Sequence, residues 1–224
     1  RDWAPTASLA TLRARAAILR SIRRFFEARG SLEVETPCVV PNPGLDAFLD
    51  APAVTLLGAA RYLATSPEYA LKRLLAAGYG PVHEIGPVFR DDEVGRLHEP
   101  QFTLLEWYEP GADDAGCMDT TEALVRSLAD EHGGGWLRTP SARWDAGAAA
   151  PPYRRMTYAA AFALATGQDA SMADERVLGR LLRAAGLRPD ANLDRADLID
   201  LVLGVVVPRS LADGGPTFVT DWPT

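Results

Sequence analysis

The chain has 224 residues, 47% of them hydrophobic and 24% charged, with 23 basic against 30 acidic side chains and a formal net charge of −7. It can bury one substantial core or two small ones, and its acidic balance argues against a protein whose main task is to grip a nucleic-acid backbone, while leaving room for a local basic patch. No apolar run approaches the roughly eighteen residues of a membrane span and no basic-then-apolar start marks a secretory signal, so a cytoplasmic globular protein is expected.

Cys38 and Cys117 lack CxxC or Cys/His ligand spacing and are expected to be reduced packing residues rather than a disulfide or a zinc site. Lys72 is the one lysine, and the arginine and alanine richness is read as genomic composition. From the amino end, Leu12, Ala16, Leu19, Ile22, Phe25 and Phe26 recur at three-four spacing, which predicts a helix over residues 9–29 with an arginine-rich outer face and Gly30 as its stop. Residues 32–36 alternate like a strand, and Pro37 ends it at an edge. Prolines at 41, 43 and 52 with glycines at 44 and 58 mark residues 39–58 as an irregular connection. A short strand follows at residues 61–65. Ser66 then stands as N-cap and Pro67 at the first helical position, with Leu71, Leu74 and Leu75 on the buried face of a helix whose first turn carries Glu68. Residues 82–89 read as a strand that delivers Arg90.

Residues 88–108 organise the rest. An apolar lead-in reaches Arg90, a charged loop runs through Asp91, Asp92, Glu93, Arg96 and His98, and an alternating run passes Phe102 and ends on Glu106 and Tyr108, which reads as strand, loop, strand. A planar guanidinium on a rigid strand can hold a phosphate bidentately, as lysine cannot. Arg96 or His98 in the loop would reach the outer phosphates, and Phe102 offers an aromatic face to a base. Singly, each residue also fits a surface hairpin with solvated charges and a core phenylalanine; their order is what points to a nucleotide. Beyond Tyr108, residues 119–132 read as a helix, and Gly133-Gly134-Gly135 opens a Pro-, Ala- and Gly-rich stretch to Pro152 that reads as a flexible connection. Residues 157–167, 175–186 and 195–207 read as an alanine- and leucine-rich group of helices without catalytic signals, and residues 216–223 begin a new strand. The expected organisation is a core over 1–132, a linker over 133–156, a helical insertion over 157–213 and the start of a returning sheet over 214–224.

Phe89-Arg90-Asp91-Asp92, then His98-Glu99-Pro100-Gln101-Phe102, then Glu106-Trp107-Tyr108 together resemble motif 2 of the class II aminoacyl-tRNA synthetases in its lysine-type version. Residues 30–37, Gly-Ser-Leu-Glu-Val-Glu-Thr-Pro, resemble motif 1. Residues 65–74, Thr-Ser-Pro-Glu-Tyr-Ala-Leu-Lys-Arg-Leu, resemble the segment of that family that grips the amino acid. The resemblance covers nearly all of the chain and implies an α+β fold, an antiparallel sheet flanked by helices with a small helical insertion. It also implies two-step chemistry: a carboxylate attacks the α-phosphate of ATP with Mg2+ present, and an acceptor then takes the acyl group from the adenylate. On that resemblance Arg90 bridges the α-phosphate and the substrate carboxylate, Phe102 stacks on adenine, and Asp91 and Asp92 belong to the nucleotide site with Arg96 and His98 on the triphosphate. Ser66, Pro67, Glu68, Glu106 and Tyr108 form an anionic pocket for a diamino acid, lysine or (R)-β-lysine. A homodimer through the first helix and motif 1 is implied too. This chain departs from the family's usual text at Asp91-Asp92, commonly Asn-Glu, and at Gln101, commonly Glu, so Asp92 or Glu93 is left to meet the adenine edge.

Fewer than a dozen residues precede the first helix, where a lysine-type synthetase carries an anticodon-binding OB-fold. The chain therefore resembles the freestanding branch of the family that modifies elongation factor P, with elongation factor P rather than tRNA as partner. The alternatives are a catalytic piece of a lysine-type synthetase and a non-catalytic domain that binds ATP or an amino acid. The glycine-rich motif 3 and the glutamates that hold magnesium are not in the sequence, and no initiating methionine is present. The expectation is a portion of a longer product, without metal ligands of its own and incomplete for catalysis as it stands.

Overall fold

A computed structural model describes residues 3–45, 49–91, 94–95, 98–133, 152–169, 173–190, 192–211 and 215–222. Helix α1 spans Leu9–Ala28, and Ser8 caps it by accepting from the Thr11 amide. Gly30 leaves the helix at φ 73°, a left-handed turn that only glycine adopts without strain. The chain then forms β1 (Leu32–Glu33), β2 (Val39–Val40), β3 (Ala53–Leu56), β4 (Ala59–Leu63), α2 (Glu68–Ala76), β5 (Val82–Phe89) and β6 (Gln101–Tyr108). Next come α3 (Asp114–His132), β7 (Arg154–Thr157), α4 (Tyr158–Thr166), α5 (Glu175–Ala184), α6 (Arg195–Leu201), a π-helical turn at Val202–Val206, α7 (Val207–Leu211) and β8 (Thr217–Thr220). Helices and mostly antiparallel sheets follow one another in an α+β arrangement.

The chain divides into two units, Arg1–Cys117 and Met118–Thr224. In the first, β1 runs parallel to β5, and β5 pairs antiparallel with β6 from Val82↔Tyr108 to Phe89↔Gln101. A second sheet has the order β2-β4-β3. Because neighbouring side chains alternate and directly opposite residues share a face, His83, Ile85 and Pro87 face one way with Trp107, Leu105 and Thr103. Helix α1 covers that face. Phe26, fully buried, stacks on His83 at 4.8 Å and meets Trp107 at 5.4 Å, while Arg15 donates to the Thr103 hydroxyl. The opposite face, with Glu84, Val88, Phe102, Glu106 and Tyr108, is left for the site.

In the second unit β7 pairs parallel with β8 from Arg154↔Thr217 to Thr157↔Thr220. Its core gathers Tyr158, Phe162, Leu178, Leu182, Leu198, Val202 and Leu211. Thr157, Asp174 and Asp194 cap α4, α5 and α6, the last in a reciprocal capping box with Asp197.

Several expectations shift. Residues 39–58 are not wholly irregular: they contain β2 and β3, and β3 and β4 form a hairpin through Leu57 and Gly58 at φ 52° and 76°. Leucine is a poor signal for a left-handed turn, so the hairpin is hidden in the text. The strand expected over 32–36 ladders only at Leu32–Glu33 before the chain bends away. Helix α3 starts at Asp114, where the Asp113 carboxylate accepts from the Gly116 amide. The helix expected to end at 207 runs to Leu211 with a widened turn, because Pro208 has no N–H for the Gly204 carbonyl and its ring crowds that oxygen. The β7 strand went unrecognised beside the Pro-rich stretch, most of which lies outside the described residues. Cys38 and Cys117 are both exposed and in no disulfide, so they are not packing residues.

Candidate active site

The site is built on the free face of the β5–β6 pair and the start of α2. Ser66 makes two bonds: its hydroxyl donates to Glu106 Oε2 at 2.6 Å and accepts from the Glu68 amide at 3.0 Å. The helix begins one residue later than expected, at Glu68, with Pro67 as its boundary residue and Ser66 still satisfying the first amide. Pro67 is buried. Tyr108 donates its hydroxyl to Glu106 Oε1 at 3.0 Å, so both oxygens of that half-buried carboxylate are held by neutral donors. Burial, the bond to Glu106 and the charges of Glu106 and Glu68 push the Tyr108 hydroxyl far above its ordinary pKa, which keeps it a donor. Glu68 pairs through Oε1 with the Lys72 ammonium one turn on, and that bond raises the Lys72 pKa. Ser66, Glu68, Glu106 and Tyr108 therefore form one anionic, hydrogen-bonding group, assembled from residues forty positions apart.

Arg90 follows β5 directly, and its amide donates to the Pro100 carbonyl at 2.9 Å, which extends the ladder. Its guanidinium carbon lies 5.1 Å from the centroid of the Phe102 ring, a cation–π contact. The two residues are thus brought together on the site face. The Asp91 amide bonds the Asp50 carbonyl at 2.9 Å. His98 is exposed and exchanges paired backbone bonds with Gly95. Asp92, Glu93 and Arg96 lie outside the described residues.

Sequence reasoning missed two residues on the site side and one that backs the strand from behind. Lys72 is four residues past Glu68, the spacing of an ion pair on a helix. Glu84 stands directly opposite Glu106 and is 7% exposed, and its even spacing from Arg90 could have placed it on the site face. His83, 1% exposed, bonds Ser31 at 3.0 Å on the other face. No group of three or more His, Cys, Asp or Glu side chains among the described residues is placed to hold a metal ion.

Residues 2–224 match the family described as tRNA synthetases class II (D, K and N), and the chain belongs to that family. Its fold is the α+β class II synthetase domain, and the family implies use of ATP and Mg2+. The chain is 36% identical over 229 residues to an elongation factor P–(R)-β-lysine ligase of Pseudoalteromonas translucida, covering 99% of this chain and 65% of that protein. It is 36% identical over 230 residues to the ligase of the same name from Vibrio cholerae serotype O1, with the same coverages. With the one from Salmonella gallinarum it shares 35% over 229 residues, again 99% and 65%. The chain thus spans just under two thirds of the length of the curated relatives it matches. Among the described residues, no helix is long and apolar enough to cross a membrane.

Proposed function

We propose that the protein activates lysine or (R)-β-lysine with ATP as an aminoacyl-adenylate and transfers the acyl group to a lysine side chain of elongation factor P, in the cytoplasm. The observation that carries this reading is the Glu106 carboxylate, fixed by Ser66 and Tyr108 beside Glu68 on the strand pair that also presents Arg90. A substrate with two ammonium groups needs such partners once dehydrated. The names of the similar ligases point the same way.

Arg90 would neutralise the α-phosphate and align the substrate carboxylate for in-line attack, leaving its contact with Phe102 or sharing that ring with adenine on the opposite face. His98 and Arg96 would steady the outer phosphates, with Asp91 and Asp92 at the nucleotide's edge. Ser66, Pro67, Glu68, Glu106 and Tyr108 would fix the diamino acid. In this family magnesium supplies charge neutralisation on the phosphates; the described residues offer no donor set that fits it, and none is assigned. A homodimer would form through α1 and β1, where Leu9 and Leu12 on α1 and Leu32 on β1 are exposed.

The test incubates the full-length protein with ATP, labelled lysine or β-lysine, elongation factor P and tRNA. Label that resists ribonuclease and is lost to protease is expected. Label removed by ribonuclease would instead establish a tRNA synthetase, and no adenylate with either isomer would leave a binding domain.

A further inference from the structure

The group around Ser66 already contains an alkylammonium. Lys72, the one lysine of the chain, stands one turn past Glu68 on α2, a spacing that puts both on the same side of the helix. Its ammonium bonds Glu68 Oε1. The Lys72 side chain is 56% exposed and that of Glu68 44%, so the contact can open and close without disturbing the core. Ser66 ties the pair to Glu106, because its hydroxyl accepts from the Glu68 amide and donates to Glu106 Oε2. The electrostatics agree: the bond to Glu68 and the charge of that residue raise the Lys72 pKa most, and the charges of Tyr69 and Glu106 add to the rise. The ammonium thus lies within the field of both carboxylates.

The two carboxylates are not equivalent. Glu106 is held by two hydroxyls, which fix its oxygens and leave its charge for a ligand. Glu68 already holds an ammonium on a four-carbon stem, the same group that ends a lysine substrate. A ligand with two ammonium groups can pair with Glu106 as it stands. Its second ammonium reaches Glu68 only by displacing Lys72, or by standing beside it against like-charge repulsion. A ligand whose single ammonium takes Glu106 leaves the Glu68–Lys72 pair closed.

We propose that Lys72 is a placeholder for the substrate's second ammonium: it occupies Glu68 until a diamino acid displaces it, and so holds down the pocket's affinity for that second charge. The inference deepens the diamino-acid reading above and rests on it.

The experiment uses the full-length protein with Lys72→Met, which keeps the stem and removes the charge, and Lys72→Arg, which keeps a cation. The calorimetric Kd for lysine should fall about threefold in Lys72→Met, the scale of an exposed charge pair. Norleucine, the same skeleton without the second ammonium, should gain less, and Lys72→Arg should restore the lysine Kd of the unsubstituted protein. A lysine that merely braced Glu68 would give the opposite sign, with weaker lysine binding once the charge is lost. That result, an unchanged lysine Kd in Lys72→Met, or an equal gain for norleucine overturns the inference. The second readout is the NMR resonance of the Lys72 ammonium nitrogen, assigned by its loss in Lys72→Met. Saturating lysine should move it toward the position of an unpaired ammonium, and a signal that stays in place is equally fatal. Failure of the unsubstituted protein to bind lysine or β-lysine would defeat the proposed function. The Lys72 signal would then be followed with 1,5-diaminopentane, which carries both ammonium groups and no carboxylate: displacement sustains the placeholder, and a fixed signal ends it.

Discussion

Glu106 illustrates how a single side chain is prepared for its task. A carboxylate on a strand face is free to rotate, but bonds from Ser66 and Tyr108 fix both oxygens before any ligand arrives, which lowers the ordering cost of binding. Tyr108→Phe removes one of those donors without changing shape; the amino acid's KM should rise about tenfold with kcat little altered, as for loss of a charge-assisted bond made equally in ground and transition states. On the proposed reading Arg90 is different, since its charge would meet the phosphate where negative charge develops. Arg90→Ala should lower kcat by about two orders of magnitude or more, the range for removing one transition-state donor. Steady-state exchange kinetics on both variants decide the matter, and the reverse pattern would contradict the assignment.

At the scale of elements, the pairing of α1 with the β5–β6 sheet rests on Phe26, His83 and Trp107. Burial drives the His83 pKa below its ordinary value, outweighing the opposing effect of Glu33. The imidazole is thus buried neutral, and the unfolded chain binds its proton more readily than the folded one. Its contribution to stability is complete above the unfolded value of about 6.5 and declines as the pH falls through it toward the lower folded value. Denaturant midpoints should drop between pH 7 and pH 5, and His83→Gln should flatten that slope while lowering stability at pH 7. A slope unaltered by the substitution would place the acid sensitivity elsewhere.

For the whole molecule, the division at Cys117 and Met118 gives each unit its own core. Phe162, fully buried in the second unit, packs with Tyr158 on the same helix at a ring distance of 6.4 Å, and none of the candidate site residues lies in that unit. Phe162→Ala should therefore cost about 3–5 kcal/mol in that unit's unfolding and leave lysine affinity within about twofold, since the candidate site is built within the other unit. Calorimetric unfolding and lysine titration on the same sample check both halves.

What the sequence determined by itself was local. The three-four spacing of Phe26 and its neighbours gave α1, and Gly30 its end. The order of Arg90, His98, Phe102, Glu106 and Tyr108 gave the hairpin and its candidate ligands, because period and punctuation are written in adjacent residues. The tertiary structure alone decided what depends on distant residues meeting. Ser66 closes on Glu106 across forty positions, and β7 finds β8 across some sixty. The Leu57 hairpin, held in a left-handed turn that its residue type disfavours, is set by the pairing of β3 with β4 rather than by its own preference. Glu84 reads in the text as one more strand residue. Only the parting of the chain after Val34 gives it the Thr36 amide as a partner, because burial and the loss of a ladder partner are properties of the fold.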